Sequence, residues 1–221
     1  MTVVVVIGNV LTGAEVTALR EAIATLSFQD GRATAGRYAR GVNMNEQAAK
    51  SDALRVVLTK ATDALHKNEV FRSVARPRKI VRSQISRHEP GMDYGAQVDD
   101  AIMAGSRTDL SFSLFLSEPE SYEGGALIME DAVEDRRFRP DPGDAVVYPT
   151  SVLHRVEPVT RGQRLAVVGW VQSWVRDPAQ REVLHDLDVA ASGMFASQGK
   201  TPDFDRLSKA RMNLYRMWAE G

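Results

Sequence analysis

Between Lys79 and Trp174 the chain is a succession of short apolar runs, each ended by a cluster of turn formers, and no other feature of the 221 residues constrains the fold as tightly. The breaks fall at Glu89-Pro90-Gly91, Ser117-Glu118-Pro119, Glu123-Gly124-Gly125 and Pro140-Asp141-Pro142-Gly143. Proline removes a ladder donor and glycine relaxes the backbone, so each cluster stops a strand. Runs rich in Val, Ile, Phe, Ser and Leu at this spacing predict many short strands in a sandwich or jelly roll.

The flanks follow a different period. Val3 to Ile7 reads as a strand buried on both faces, and Thr12 and Glu15 then have the spacing of a capping box. Val16, Leu19, Ile23 and Leu26 follow at helical intervals. Ser51 is placed to cap a second helix whose buried face carries Leu54, Val57, Leu58, Ala61 and Leu65. Beyond the β region, Asp177-Pro178 and Thr201-Pro202 each pair a capping residue with proline at the first helical position. The first of these tail helices is expected to bury Val183, Leu187, Ala190 and Met194, the second Phe204, Leu207, Leu214 and Trp218. The expected division is a mainly β (α+β) domain over 1–176, its core about 79–174, and a helical extension over 177–221. Packing of the tail against the β core is preferred to its use in a homodimer.

Composition removes several classes of function. With no cysteine there is no disulfide scaffold, no thiol nucleophile and no cysteine-held metal. A formal net charge of −1 gives no field that would favour nucleic acid or an anionic membrane. The basic clusters at Arg72 to Arg82 and Arg136 to Arg139 read as solvated surface. No apolar stretch approaches the roughly 20 residues needed to cross a bilayer, and Val3 to Ile7 is too short for a secretory signal. A cytoplasmic protein is therefore the expectation. The glycine-rich stretch Gly31 to Gly41 lacks the Gly-Lys-Ser/Thr ending of a phosphate loop, although its arginines are candidates to line a site entrance.

Chemistry concentrates in the β region. Of four histidines, His66 and His185 lie on predicted helices, whereas His88 and His154 lie in or beside predicted strands. Upstream of His154 stands Gln97-Val98-Asp99, and in an extended chain side chains two apart share a face. A non-haem ferrous site wants two histidines and one carboxylate on one face of an octahedron. Asp99 and His154 answer two of those positions, and an amide stands where the other imidazole is wanted. Arg164, ten residues beyond His154, opens a strand.

The ordered set Gly91-Met92-Asp93-Tyr94-Gly95-Ala96-Gln97-Val98-Asp99-Asp100-Ala101-Ile102, Tyr122-Glu123-Gly124-Gly125, Tyr148-Pro149-Thr150-Ser151, Leu153-His154-Arg155-Val156 and Trp170-Val171-Gln172-Ser173 resembles the bacterial PKHD-type hydroxylases of the prolyl and lysyl hydroxylase superfamily. Asp30 to Gly36 and the tail helices extend the resemblance to nearly the whole chain. It implies a double-stranded β-helix, or jelly roll, and an Fe(II)- and 2-oxoglutarate-dependent dioxygenase acting on a small-molecule or peptide substrate. It also admits ascorbate as an auxiliary cofactor. Within it, Asp99 and His154 match metal ligands and Arg164 matches the residue holding the far carboxylate of 2-oxoglutarate, a pairing suited to a guanidinium fork. Tyr94 matches a tyrosine that assists cosubstrate binding.

Gln97 departs from the family's histidine. Three readings follow: weak coordination through the amide oxygen, substitution by His88 from the strand leading into the site, or loss of redox chemistry with the pocket kept for binding 2-oxoglutarate or another metabolite. A cupin-type metal isomerase or hydrolase is a weaker alternative, because it gives Arg164 nothing to hold. On the bland reading His88 hydrogen-bonds the cosubstrate or a core carbonyl, Asp100 is a solvated carboxylate, and Trp170 and Trp174 simply pack. The substrate's contacts are expected from the loops at Gly31 to Gly41 and Asp131 to Arg139.

Overall fold

The computed structural model describes residues 4–33, 39–131 and 134–220. In chain order its strands are β1 (Val5–Ile7), β2 (Phe28–Asp30), β3 (Glu46–Ala48), β4 (Pro77–His88), β5 (Tyr94–Gln97), β6 (Ile102–Met103), β7 (Ser106–Arg107) and β8 (Leu110–Phe115). Then come β9 (Glu123–Gly124), β10 (Leu127–Met129), β11 (Arg136–Phe138), β12 (Ala145–Pro149), β13 (His154–Val156), β14 (Val159–Arg161) and β15 (Arg164–Ser173). The α-helices are α1 (Gly13–Ala24), α2 (Asp52–Lys67), α3 (Glu69–Ala75), α4 (Pro178–Gln198) and α5 (Pro202–Trp218).

Antiparallel pairing builds a seven-stranded sheet in the order β1-β12-β8-β15-β4-β3-β2 and a four-stranded sheet in the order β11-β10-β13-β5. This is the expected jelly roll, and strand periodicity explains its two cores. In β8, Leu110, Phe112 and Leu114 point outward to a core shared with helices α1 to α3. Phe115, on the opposite face, meets Leu127, Met129, Phe138 and Val156 of the smaller sheet. β12 alternates likewise, with Ala145 and Val147 toward the helices and Val146 and Tyr148 inward. Both faces of the central strands are covered, so their sequences read as continuous apolar runs rather than clean alternation.

The helix starts follow local chemistry. Thr12 and Glu15 form the reciprocal capping box, and Ser51, Asp177 and Thr201 cap α2, α4 and α5. α3 was not expected; Asn68 caps it by accepting from the Phe71 amide. Several expectations need correction. β1 is an edge strand paired with β12, and on it Val6 is exposed rather than buried. α4 buries Arg181, Leu184 and Ala191, one row round from the predicted stripe, and leaves Val183 exposed. α5 buries no residue fully. The tail is instead tied down by polar contacts: Asp188 of α4 accepts from Ser73 at 2.6 Å and from Arg76 and Arg211.

The basic clusters are likewise not simply solvated. Arg78 lies over the Trp174 ring, Arg137 pairs with Glu157, and Arg139 donates to the carbonyls of Pro119 and Tyr122. No helix among the described residues is long and apolar enough to cross a membrane.

Candidate active site

The inward faces of β4, β8 and β15, the start of the smaller sheet and the turn after β5 enclose a cavity of about 700 Å³. Asp99, His154, Gln97, His88, Arg164 and Tyr94 all line it. Two groups of side chains occupy its wall, and they differ in how well their polar atoms are satisfied.

At the first, β13 pairs with β5 so that His154 stands directly across from Gln97. Cross-strand partners share a face, which sets imidazole and amide side by side. Nδ1 of His154 lies 2.9 Å from the Val152 carbonyl. A carbonyl accepts only, so Nδ1 carries the proton and the Nε2 lone pair is left toward the cavity. That nitrogen is 3.8 Å from Asp99 Oδ2, and both side chains are more than nine-tenths buried. The Tyr148 ring meets the imidazole edge-on, centroids 5.0 Å apart.

Asp99 follows β5 in a turn pinned from two sides. Its amide donates to the Thr150 carbonyl at 3.2 Å, and Ser111 Oγ donates to Oδ2 at 2.5 Å. Tyr94 lies close to the Gln97 side chain. Burial is the largest influence on Tyr94 and pushes its hydroxyl up to about 12, so it remains a neutral phenol at ordinary pH.

At the second group, β15 pairs with β4 with Arg164 opposite His88. Each residue is 1% exposed. Neither ring nitrogen of His88 has a hydrogen-bond partner, and Nε and Nη2 of Arg164 have none either. Burial, with the neighbouring guanidinium, holds His88 well below the usual histidine range and so neutral. Burial lowers the Arg164 value too, but a guanidinium starts so high that it stays charged. The Phe115 ring lies 5.1 Å from its central carbon. Room for the side chain depends on Gly125. This residue has φ +62°, and a Cβ there would come within 3.2 Å of Arg164 Cδ and 2.9 Å of Val159 Cγ2.

Among the described residues, no three His, Cys, Asp or Glu side chains come together as a metal-holding group. His88 is thus set beside Arg164 and is not gathered into a group with Asp99 and His154. His66 is exposed at the end of α2, and the His185 ring meets Ser73 Oγ at 2.8 Å, away from the cavity. Asp100 is exposed at the rim.

Trp170, expected only to pack, lines the cavity, and its buried Nε1 has no partner. Ser111 and Ser113 were also missed; the alternation Ser111-Phe112-Ser113 inside an apolar run was the signal. The expected loop at Asp131 to Arg139 contains β11, although 132 and 133 lie outside the described residues. Of the stretch Gly31 to Gly41, positions 34–38 lie outside them too, and Arg32 pairs with Asp30. Val42 and Asn45, just past that stretch, reach the cavity wall.

The chain has known relatives. The profile of the 2OG-Fe(II) oxygenase superfamily matches residues 83–172, the segment that carries both groups. The chain is 48% identical to a PKHD-type hydroxylase of Maricaulis maris, covering 91% of this chain and 92% of that one. It is 44% identical to a PKHD-type hydroxylase of Synechococcus elongatus, covering 98% of this chain and all of the other. Among solved structures, HygX from Streptomyces hygroscopicus, crystallised with nickel and 2-oxoglutarate, is similar in fold at a TM-score of 0.58 and 14% identity, covering 79% of this chain and 84% of that one. The chain belongs to the PKHD-type hydroxylases, the Fe(II)- and 2-oxoglutarate-dependent dioxygenases of the 2OG-Fe(II) oxygenase superfamily.

Proposed function

We propose that the cavity is an iron(II)/2-oxoglutarate site in which Asp99 and His154 are the metal's strong protein donors and Arg164 anchors the distal carboxylate of the cosubstrate. One observation carries this reading. A fully buried guanidinium with two unpartnered nitrogens opens onto the same cavity as the Asp99–His154 pair. An unpaired buried cation is costly unless an anion completes it, and a dicarboxylic 2-oxo acid does so with its far end while its near end reaches toward the pair. The donor chemistry fits the metal in part: a carboxylate, an imidazole whose lone pair is directed by Val152, and a neutral amide.

Iron(II) with 2-oxoglutarate, when bound, supplies oxidation of a substrate by dioxygen, with release of succinate and carbon dioxide. The chain's own contributions are orientation and exclusion of water. Ser111 holds the Asp99 carboxylate, Val152 sets the His154 tautomer, and His88 contributes a neutral N–H beside Arg164. In this reading His88 contacts the cosubstrate rather than replacing the missing ligand. Gln97 is at most a weak third donor, because its amide is neutral. The hydroxyl of Tyr94 acts only as an uncharged partner.

The competing reading keeps the pocket without the oxidation, as a 2-oxoglutarate- or metabolite-binding protein. Iron affinity and succinate formation, measured for the native chain and for Gln97→His, separate the two. Native turnover supports the dioxygenase; iron binding and succinate formation confined to Gln97→His would sink it. His88→Ala should leave metal binding unchanged and weaken 2-oxoglutarate, whereas lost metal binding would make His88 a ligand.

A further inference from the structure

We propose that Arg107 and Asp109 are positioning residues for the Asp99 carboxylate, and that the far end of the helical extension joins them through Glu220. The inference rests on the site assignment just made and extends it to side chains outside the cavity. It starts from the segment Arg107-Thr108-Asp109-Leu110-Ser111, of which the assigned site uses only Ser111.

Three routes lead from this segment to the turn that carries Asp99. Thr108 donates its amide to the Ala101 carbonyl at 3.0 Å and its hydroxyl to the carbonyl of Asp100. Thr150 is held by the same segment, its amide donating to the Asp109 carbonyl at 3.2 Å and its hydroxyl to the Thr108 carbonyl at 2.9 Å. The Thr150 carbonyl in turn accepts from the Asp99 amide. Ser111 completes the set by donating to the Asp99 carboxylate itself. Backbone and side chain of Asp99 thus both take their places from residues 108–111, and a shift of that segment is passed to the carboxylate.

Arg107 and Asp109 fix the segment. The Asp109 side chain is 5% exposed, and its carboxylate accepts from Arg107 Nε at 2.7 Å and from the Ser173 amide, at the end of β15, at 2.8 Å. Arg107 spends its other nitrogens on the Ser173 carbonyl at 3.0 Å and on the Glu220 carboxylate at 2.7 Å. A planar guanidinium can hold these three acceptors at set angles, which an ammonium cannot. Glu220 is the outer member, half exposed, and its amide donates to the Trp174 carbonyl at 2.8 Å. The extension thus returns, two residues past α5, to the base of the segment that holds Asp99. None of Arg107, Asp109 and Glu220 lines the cavity, so they can act on a bound metal only through Asp99. Groups that orient a metal's ligand typically set about 10- to 100-fold in affinity.

The test uses the full chain and Mn²⁺ as a redox-silent probe, with 2-oxoglutarate saturating. Calorimetry reads the affinity, and the spin-resonance spectrum reads the symmetry of the bound ion. Glutarate, which fills the Arg164 end but lacks the 2-oxo group, reports separately on the other side of the cavity. Asp109→Asn sets an amide N–H against one of the two donors that the carboxylate accepts. Mn²⁺ affinity should then fall about ten-fold and the bound-ion spectrum should change, while glutarate affinity stays native. Arg107→Lys should give a smaller loss in the same direction, and Glu220→Gln a loss of roughly two- to four-fold. Native Mn²⁺ affinity and spectrum in Asp109→Asn would overturn the proposal. So would equal losses of Mn²⁺ and glutarate, the result of a merely structural role; in either case the site assignment survives. A native chain that binds glutarate but no Mn²⁺ would overturn the assignment and the proposal together. Should Asp109→Asn fail to fold, Arg107→Lys and the exposed Glu220→Gln decide, and native Mn²⁺ binding in both would sink the idea.

Discussion

The two sides of the cavity are built on opposite principles. Asp99 and His154 are each held by a hydrogen bond within the protein, from Ser111 and to the Val152 carbonyl. Arg164 and His88 carry unpartnered nitrogens, although both residues are as deeply buried as any core leucine. The first side is shaped in advance and tolerates being empty. The second holds an unmet electrostatic demand, which the proposed cosubstrate would satisfy. Since a buried unsatisfied charge costs more than most single contacts return, the place where stability is given up marks where binding is to occur.

The largest effect that would break this contrast comes from Arg164→Met. It should weaken 2-oxoglutarate by about 2–4 kcal/mol, or roughly 30- to 1,000-fold, while leaving the melting temperature unchanged or raised, because an unpaired buried cation is replaced by an apolar chain of similar length. Calorimetric binding and thermal melts of one preparation check both halves; a marked drop in melting temperature would show that Arg164 has a structural partner after all.

A smaller effect is expected from Ser111→Ala, which removes the donor to Asp99 Oδ2. Mn²⁺ affinity should fall about ten-fold, and glutarate binding at the Arg164 end should stay as it is. Equal losses for both ligands would mean the two sides are not independent.

His88→Phe addresses the second side through pH. The folded value of His88 is depressed by burial and by Arg164, while in the unfolded chain it sits near about 6.5. Below that pH the unfolded chain takes up the proton first, so the native chain's stability is intact above about 6.5 and is lost as pH falls through and below it. Melting temperatures between pH 7.5 and 5 should decline less in His88→Phe than in the native chain; parallel declines would remove His88 from the account.

The smallest effect is a control away from the cavity. Thr12→Ala deletes the capping box of α1 and should cost about 1 kcal/mol of stability, leaving both ligand affinities untouched.

Much of this molecule was legible before its structure, where short-range rules apply. The caps at Thr12, Ser51, Asp177 and Thr201 depend on atoms within three residues of one another, and all four form. Three of the turn clusters likewise follow the ends of β4, β8 and β11, whereas Glu123-Gly124-Gly125 itself carries β9. Reading became unreliable where a face is chosen by something distant. α4 has apolar residues on more than one side, and contacts from α3 and α5, through Asp188, decide that Leu184 and Ala191 turn inward rather than Val183. Val6 is exposed while Ile7 of the same edge strand is buried, so the two faces of β1 are covered unequally. Trp170 reaches the cavity while Val171 beside it turns to the helix-side core.

The residues of the candidate site divide in the same way. The sequence by itself determined which chemical groups exist: one aspartate, two histidines of the β region, one arginine and an amide in place of an imidazole. Only the tertiary structure decided their standing. The β15–β4 register set His88 beside Arg164, the β13–β5 register set Gln97 beside His154, and Ser111 reached Asp99 from a third strand. The physical reason is that a hydrogen bond is satisfied or left wanting by whichever atoms arrive within about 3 Å. Across a jelly roll those atoms come from strands tens of residues apart, so the presence of Arg164 is a property of the chain and its lack of a partner is a property of the fold.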